Sequence, residues 1–289
     1  MKVLVIAAHP DDEVLGMGGT ITKYVKNGDS VKIIIMATGV FSRRSSNNMN
    51  ANVYEVDDSI LEKMSKQVQN LQKDAIKASK IMGVKDIEFL DFPDNEMDKK
   101  SNLEITKKIE SIILEFKPDI VFTHSQHDVN IDHRMIYDAT ITATRPFSKF
   151  KVKEVISFEV PSSTEWYFPS KFSPNMFIDI NKELPTKIKA LSAYKTEINN
   201  FPHPRSTEGI EVIAKHWGTV SGFNASEAFY IVRQLKDNIW IIIINRYYSK
   251  SKIPSPISIF FVDFFPLTDK RNLGSIPLNL FPGLRTSKL

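Results

Sequence analysis

The chain contains no cysteine. Disulfides and thiolate metal sites are therefore excluded, and any metal must be held by His, Asp or Glu. Histidine is itself scarce, with six in 289 residues. No apolar run reaches the roughly 18 residues that a membrane span needs. The apolar stretch Val3 to Ala8 ends in His9-Pro10-Asp11-Asp12, which is too short and too acidic for a secretory signal. A strong charge bias is also missing: 38 Lys and Arg against 34 Asp and Glu give a net charge of +4. The lysines scatter along helix-like segments, as on a solvated surface, and argue against a nucleic-acid partner. These absences predict a cytoplasmic protein with no transmembrane segment; a homo-oligomer stays open. The length accommodates one large domain or two modest ones.

What is present is an alternation of strand-like and helix-like segments. Strands are predicted over Lys2–Ala8, Val31–Thr38, Asp86–Asp91 and Asp119–His124. The clearest helix runs from about Asp57 to Met82, with Ile60, Leu61, Met64, Val68, Leu71, Ala75 and Ala78 on one stripe and Gly83 as its stop. Others are expected over Leu103–Phe116, closed by Lys117-Pro118, over Ile131–Thr144 and over Pro185–Thr196. The pattern predicts an α/β, Rossmann-like, doubly wound and mainly parallel sheet with helices on both faces. Composition shifts near Lys236: beyond it there is no Glu, five prolines appear, and Ile239 to Ile244 is almost wholly apolar. The expected division is a domain over 1–235 and an appendage over 236–289 of unknown role. The final Ser287-Lys288-Leu289 matches a peroxisomal address, but chance explains a tripeptide better.

The few histidines are not randomly placed. His9 follows the first strand, and His124, His127 and His133 fall at or just after the fourth. In a doubly wound sheet, ligands bind at the carboxyl ends of strands, and neighbouring strands would bring these groups together. His9 and Asp12, three apart on a turn entering a helix, can share a cation, and His133 supplies a third ligand. Two nitrogens, one carboxylate oxygen and an open position describe a catalytic zinc site. Asp favours helix starts, so either half alone could be an N-cap. Both halves, each at a strand end, point to metal.

These residues resemble the PIG-L/LmbE-type zinc-dependent N-acetylglucosaminyl de-N-acetylases. The likeness rests on Ala8-His9-Pro10-Asp11-Asp12-Glu13 and on Asp128-Val129-Asn130-Ile131-Asp132-His133-Arg134. It extends through Pro93-Asp94, Phe201-Pro202-His203-Pro204-Arg205-Ser206 and Ser226-Glu227-Ala228-Phe229, so it covers about 1–235. The resemblance implies that His9, Asp12 and His133 bind Zn2+, with Fe2+ a possible occupant, and that Asp11 is the general base. The implied reaction removes the N-acetyl group from an N-acetylglucosamine-type amino sugar or its conjugate. Asn130 stands where the commonest pattern, His-Pro-Asp-His, has its first histidine. An amide can donate to an oxyanion but cannot deliver a proton. Asn130 is therefore expected to stabilise the oxyanion, with Asp11 returning the proton to the amine; His124, His127 or His203 is the alternative acid.

Asp132 is expected to accept a hydrogen bond from a ligand imidazole, or else to cap the following helix. Arg43, Asp94 and His203 are assigned to substrate, although a solvated loop charge, a turn and a loop histidine describe them too. Trp166, in Ser162-Ser163-Thr164-Glu165-Trp166, offers an aromatic surface for a sugar ring or a core side chain. Gly16-Met17-Gly18-Gly19 has the wrong spacing for a dinucleotide loop and follows three acids, so it predicts close helix–sheet packing. Deacylation of another small amide, or a carbohydrate-binding or assembly protein that kept a metal site, are the competing functions. The non-ligating Asp11 favours catalysis.

Overall fold

Val3 to Ala7 are all buried, as a strand covered on both faces must be, and they form the central strand β1 (Lys2–Ala7). The computed structural model describes residues 1–37, 58–169 and 171–236, with side chains in the second helix from 65 onward. The predicted strand end at Thr38, the helix start at Asp57, Arg43 and the segment from 237 lie outside the described residues. β2 (Ser30–Ala37), β3 (Asp86–Phe92), β4 (Ile120–His124) and β5 (Glu154–Phe158) join β1 in parallel. β6 (Met176–Asp179) and β7 (Ser226–Gln234) complete the sheet antiparallel, in the order β3-β2-β1-β4-β5-β7-β6. The order reverses between β1 and β4, where a doubly wound sheet opens its binding crevice.

Alternation along β1 feeds two cores. Val3, Val5 and Ala7 pack with Leu71, Ala75 and Tyr194, beneath α1 (Asp12–Lys26), α2 (Asp58–Met82) and α5 (Leu184–Leu191). Leu4 and Ile6 pack with Ile105, Ile109 and Ile136 of α3 (Asn102–Phe116) and α4 (Ile131–Ala143). α6 (Thr207–Ser221) precedes β7. The α/β, mainly parallel fold with helices on both faces is thus as expected.

Helix ends follow local chemistry. Ser101 Oγ accepts the Glu104 amide at 3.1 Å to start α3, and Lys117 at φ 53° ends it before Pro118. The helix expected over Pro185–Thr196 stops at Leu191, because Ala193, Tyr194 and Glu197 amides turn back in short-range bonds. β5, β6, β7 and α6 were not predicted.

α1 is broken. Met17 adopts φ −149°, and Gly19 N donates to Glu227 Oε1 at 3.0 Å rather than continuing the helical ladder. Lys187 Nζ donates to Leu15 O at 2.8 Å, the carbonyl that Gly19 N would otherwise meet, and to Glu227 Oε1 at 2.6 Å. A buried ion pair therefore sits at the kink, bonded to the backbone on both sides of it. The glycines serve close packing: a Cβ on Gly16 would lie 2.4 Å from Phe158 Cδ2, and one on Gly19 would lie 2.8 Å from Ile180.

Candidate metal centre

Where β1 and β4 end side by side, the Ala8 amide donates to His124 Nε2 at 2.7 Å. His124 is therefore neutral at Nε2; burial, then neighbouring His133, holds its pKa well below the usual range. Its ring stacks on His133 at 4.0 Å. An imidazole accepting a backbone N–H cannot also serve as the acid of the reaction.

His9 and His133 face one carboxylate from two sides. Asp12 Oδ2 lies 3.4 Å from His9 Nδ1 and 3.2 Å from His133 Nε2. The far nitrogen of each ring is held by another acid. His9 Nε2 is 3.0 Å from Asp132 Oδ2 and 3.1 Å from Asp94 Oδ1, and His133 Nδ1 is 3.0 Å from Asp128 Oδ2. Such outer carboxylates fix ring orientation and strengthen the imidazole as a ligand. Burial alone would lower the His133 pKa, but Asp12 and Asp128 overcome it and raise it to about 9. Burial would raise Asp128; His133, Ser163 and Thr164 bring it to about 2.

The donor set fits a cation. One ligand atom each from His9, Asp12 and His133 lies within 4.8 Å of the others. Asp12 Oδ1 and both ring nitrogens of His133 are buried without a well-aligned hydrogen bond, although carboxylate oxygens lie 3.2 and 3.0 Å from the ring; a shared ion at Asp12 and Nε2 would relieve part of that cost. Two imidazoles and a carboxylate match the N,O ligands of an open zinc site. His9, Asp94 and Asp132 form a second such group. There, however, Asp132 already accepts the Asn95 amide at 2.6 Å and the Met97 amide at 3.1 Å, so this group acts as the brace of His9.

Asp11 stands apart from the ligands. It caps α1 at φ 105°, outside the range side chains ordinarily adopt, and its amide donates to Glu13 Oε2 at 3.1 Å. Strain of about 1–3 kcal/mol persists only where surroundings enforce it. Tyr194 Oη, donating to Glu13 Oε1 at 2.5 Å, anchors that brace. The Asp11 carboxylate accepts from Arg205 Nη1 at 2.8 Å. Burial pushes its pKa well up, against the pull of Arg205 and with Asp12 adding to the rise.

Asn130 Oδ1 caps α4 by accepting the Asp132 amide at 2.9 Å, so the cap is Asn130 and not Asp132. Asn130 Nδ2 donates one hydrogen to Asn95 Oδ1 at 2.9 Å. Asp94 is 1% exposed, beside His9 and bonded by Asn95 Nδ2. His203 Nδ1 accepts the Arg205 amide at 3.1 Å, and its ring meets Trp166 edge-on. Trp166 is 45% exposed and not a core side chain. Asp128, Arg205 and Glu13 carry roles that the sequence did not assign. Asp128 is held by Thr164 Oγ1 at 2.7 Å and by Ser163 Oγ.

Residues 4–144 match the family PIG-L: GlcNAc-PI de-N-acetylase. That stretch is a PIG-L family domain. The chain is 27% identical over 241 residues to diacetylchitobiose deacetylase of Thermococcus kodakarensis, covering 80% of this chain and 83% of that protein. It is 28% identical over 196 residues to a probable N-acetyl-alpha-D-glucosaminyl L-malate deacetylase 2 of Bacillus cereus, covering 68% of this chain and 83% of the relative. The N,N'-diacetylchitobiose deacetylase structure from Pyrococcus horikoshii superposes with a TM-score of 0.60 at 23% identity, over 80% of this chain and 83% of that one. At that identity the likeness concerns the fold. Beside Arg205, the partner of Asp11, a polar cleft of about 400 Å³ is lined by Ser162, Thr196, Glu197, Asn199, His203 and Arg205. No helix among the described residues is long and apolar enough to cross a membrane.

Proposed function

We propose that the chain is a zinc-dependent deacetylase that hydrolyses the N-acetyl group of an N-acetylglucosamine-type sugar or conjugate. One observation carries the reading: ligand atoms of His9, Asp12 and His133 lie within 4.8 Å of one another, while the carboxylate of the adjacent Asp11 is held by Arg205. The relatives named as deacetylases of N-acetylated amino sugars support the substrate class. A domain over 1–235 accords with the compact unit Met1–Lys236, with 236–289 as an appendage of unknown role.

His9, Asp12 and His133 would hold the metal, which when bound would supply Lewis-acid polarisation of the amide carbonyl and lower the pKa of bound water to about 7. Asp11, its carboxylate steered by Arg205, takes a proton from the attacking water. Asn130 keeps one Nδ2 hydrogen beyond its bond to Asn95 and donates it to the tetrahedral oxyanion, a contact worth roughly 3–4 kcal/mol. Asp11 then passes its proton to the amine nitrogen as the C–N bond breaks, leaving acetate and the free amino sugar. His203 and the polar cleft receive sugar hydroxyls; Arg43 is retained as a substrate contact.

The test is acetate release from N-acetylglucosamine glycosides by the full chain loaded with zinc. Asp11→Asn is expected to keep the metal and lose turnover. Undiminished turnover in that variant would remove Asp11 from the mechanism, and no acetate from any N-acetylated amino sugar would sink the reading.

A further inference from the structure

A second depression lies across the Phe201–Arg205 loop from the polar cleft. It encloses about 390 Å³ and is lined chiefly by Phe172, Phe201, Pro202, Pro204, Val212 and Trp217. Phe201 and Val212 are 54% and 55% exposed, so large apolar surface faces water here. The two depressions share their walls. Phe201, Pro202 and Pro204 face the groove, while His203 and Arg205 of the same loop line the cleft. Likewise Pro161 and Glu165 face the groove, whereas Ser162 lines the cleft and accepts Arg205 Nε at 2.6 Å. The exposed Trp166 ring against His203 marks the rim between them. An apolar surface continuous with a polar catalytic cleft is how a ligand with one polar and one apolar end is received.

Charge narrows the occupant. The groove lining contains two acids, Glu159 and Glu165, one histidine, His216, and no Lys or Arg. Glu165 accepts the Ser162 and Ser163 amides at 2.6 and 3.1 Å, and Glu159 accepts Trp217 Nε1–H. No Lys or Arg there would pair with an acidic group, and a phosphate or carboxylate would meet Glu165 as a like charge.

We propose that this groove is the aglycone subsite of the deacetylase, and that the substrate is an amino-sugar conjugate whose aglycone is neutral and apolar, aryl or alkyl. The inference rests on the deacetylase reading and names the part of the substrate that reading leaves open. Apolar contact made equally in ground and transition states lowers KM and leaves kcat in place.

The experiment compares methyl, phenyl and octyl β-glycosides of N-acetylglucosamine, with octyl kept below its micelle concentration, using the zinc-loaded full chain. The expected kcat/KM for phenyl and octyl exceeds methyl by about ten-fold or more through KM, consistent with burial of several apolar carbons. In Val212→Glu and Phe201→Ser the octyl-to-methyl ratio is expected to collapse towards one. A ratio near one in the parent, with methyl still releasing acetate, overturns the inference while the deacetylase reading stands. A glycoside with a carboxylate-bearing aglycone that outperforms octyl overturns it as well. If no glycoside releases acetate, the deacetylase reading falls. Calorimetric titration with octyl β-glucosaminide then judges the groove: binding that Val212→Glu abolishes supports it, and no binding overturns it.

Discussion

Replacing Lys187 by Met should cost about 3–5 kcal/mol of stability, the usual penalty for stranding one partner of a buried ion pair. The magnitude follows from what the change leaves behind. The Lys187 and Glu227 side chains are 5% and 3% exposed, so water cannot take over either role. The Leu15 carbonyl loses its donor at the break in α1, and Glu227 keeps only the Gly19 and Thr20 amides, at 3.0 and 2.7 Å. Adding Glu227→Gln removes the stranded charge while its amide oxygen can still accept one of those N–H groups. The double variant should therefore recover at least about 1 kcal/mol relative to additivity, within the range found for residues in one network. Urea unfolding of parent, singles and double, with chelator present throughout, reads this as midpoint shifts at constant slope. A Lys187→Met loss below about 1 kcal/mol, or strict additivity, would show that the pair does not hold the kink in α1.

Three further outcomes are expected. Arg205→Gln should lower kcat about 100-fold with zinc content unchanged, since it frees the carboxylate of Asp11 from its fixed direction; Arg205→Lys should restore part, and equal rates for Gln and Arg would dismiss the clamp. Asp128→Asn should weaken zinc binding about 10–100-fold in a competitive chelator titration, because His133 loses the acid that orients it; an unchanged affinity would contradict that. Burial pushes the Glu159 carboxyl from 4.5 up to about 7, against the Trp217 hydrogen bond. A raised acid favours the folded state where it stays protonated, so this contribution is full below 4.5 and is lost as pH rises through about 7. The urea midpoint should fall more steeply over that window in the parent than in Glu159→Gln, and parallel curves would refute the assignment.

The first four strands and the long helices were legible because their signals are local: runs of Val and Ile for buried parallel strands, and a 3.6-residue stripe for α2 and α3. β6 is four half-buried residues, and β7 passes from buried to half-exposed without clean alternation, so neither carries a period-two pattern. That His9, Asp12 and His133 meet was legible because β1 and β4 are neighbours, so the turn into α1 and the first turn of α4 open at the same edge of the sheet. Arg205 was not, since its pairing with Asp11 joins positions 194 apart and leaves no trace in spacing. The place of Asp94 beside His9 was hidden for a related reason. Pro93-Asp94-Asn95 signals a turn, but only the folded chain shows that the turn tucks the carboxylate under His9. The brace from Tyr194 through Glu13 to the strained Asp11 is likewise a through-space arrangement.

The metal centre is tested most directly by anomalous diffraction at the zinc edge from crystals of the full chain grown with zinc. The account predicts one strong peak about 2.0–2.2 Å from His9 Nδ1, His133 Nε2 and an Asp12 carboxylate oxygen. A peak lodged instead between Asp94 and Asp132, or density showing those two imidazoles and Asp12 bonded only to one another, would contradict it.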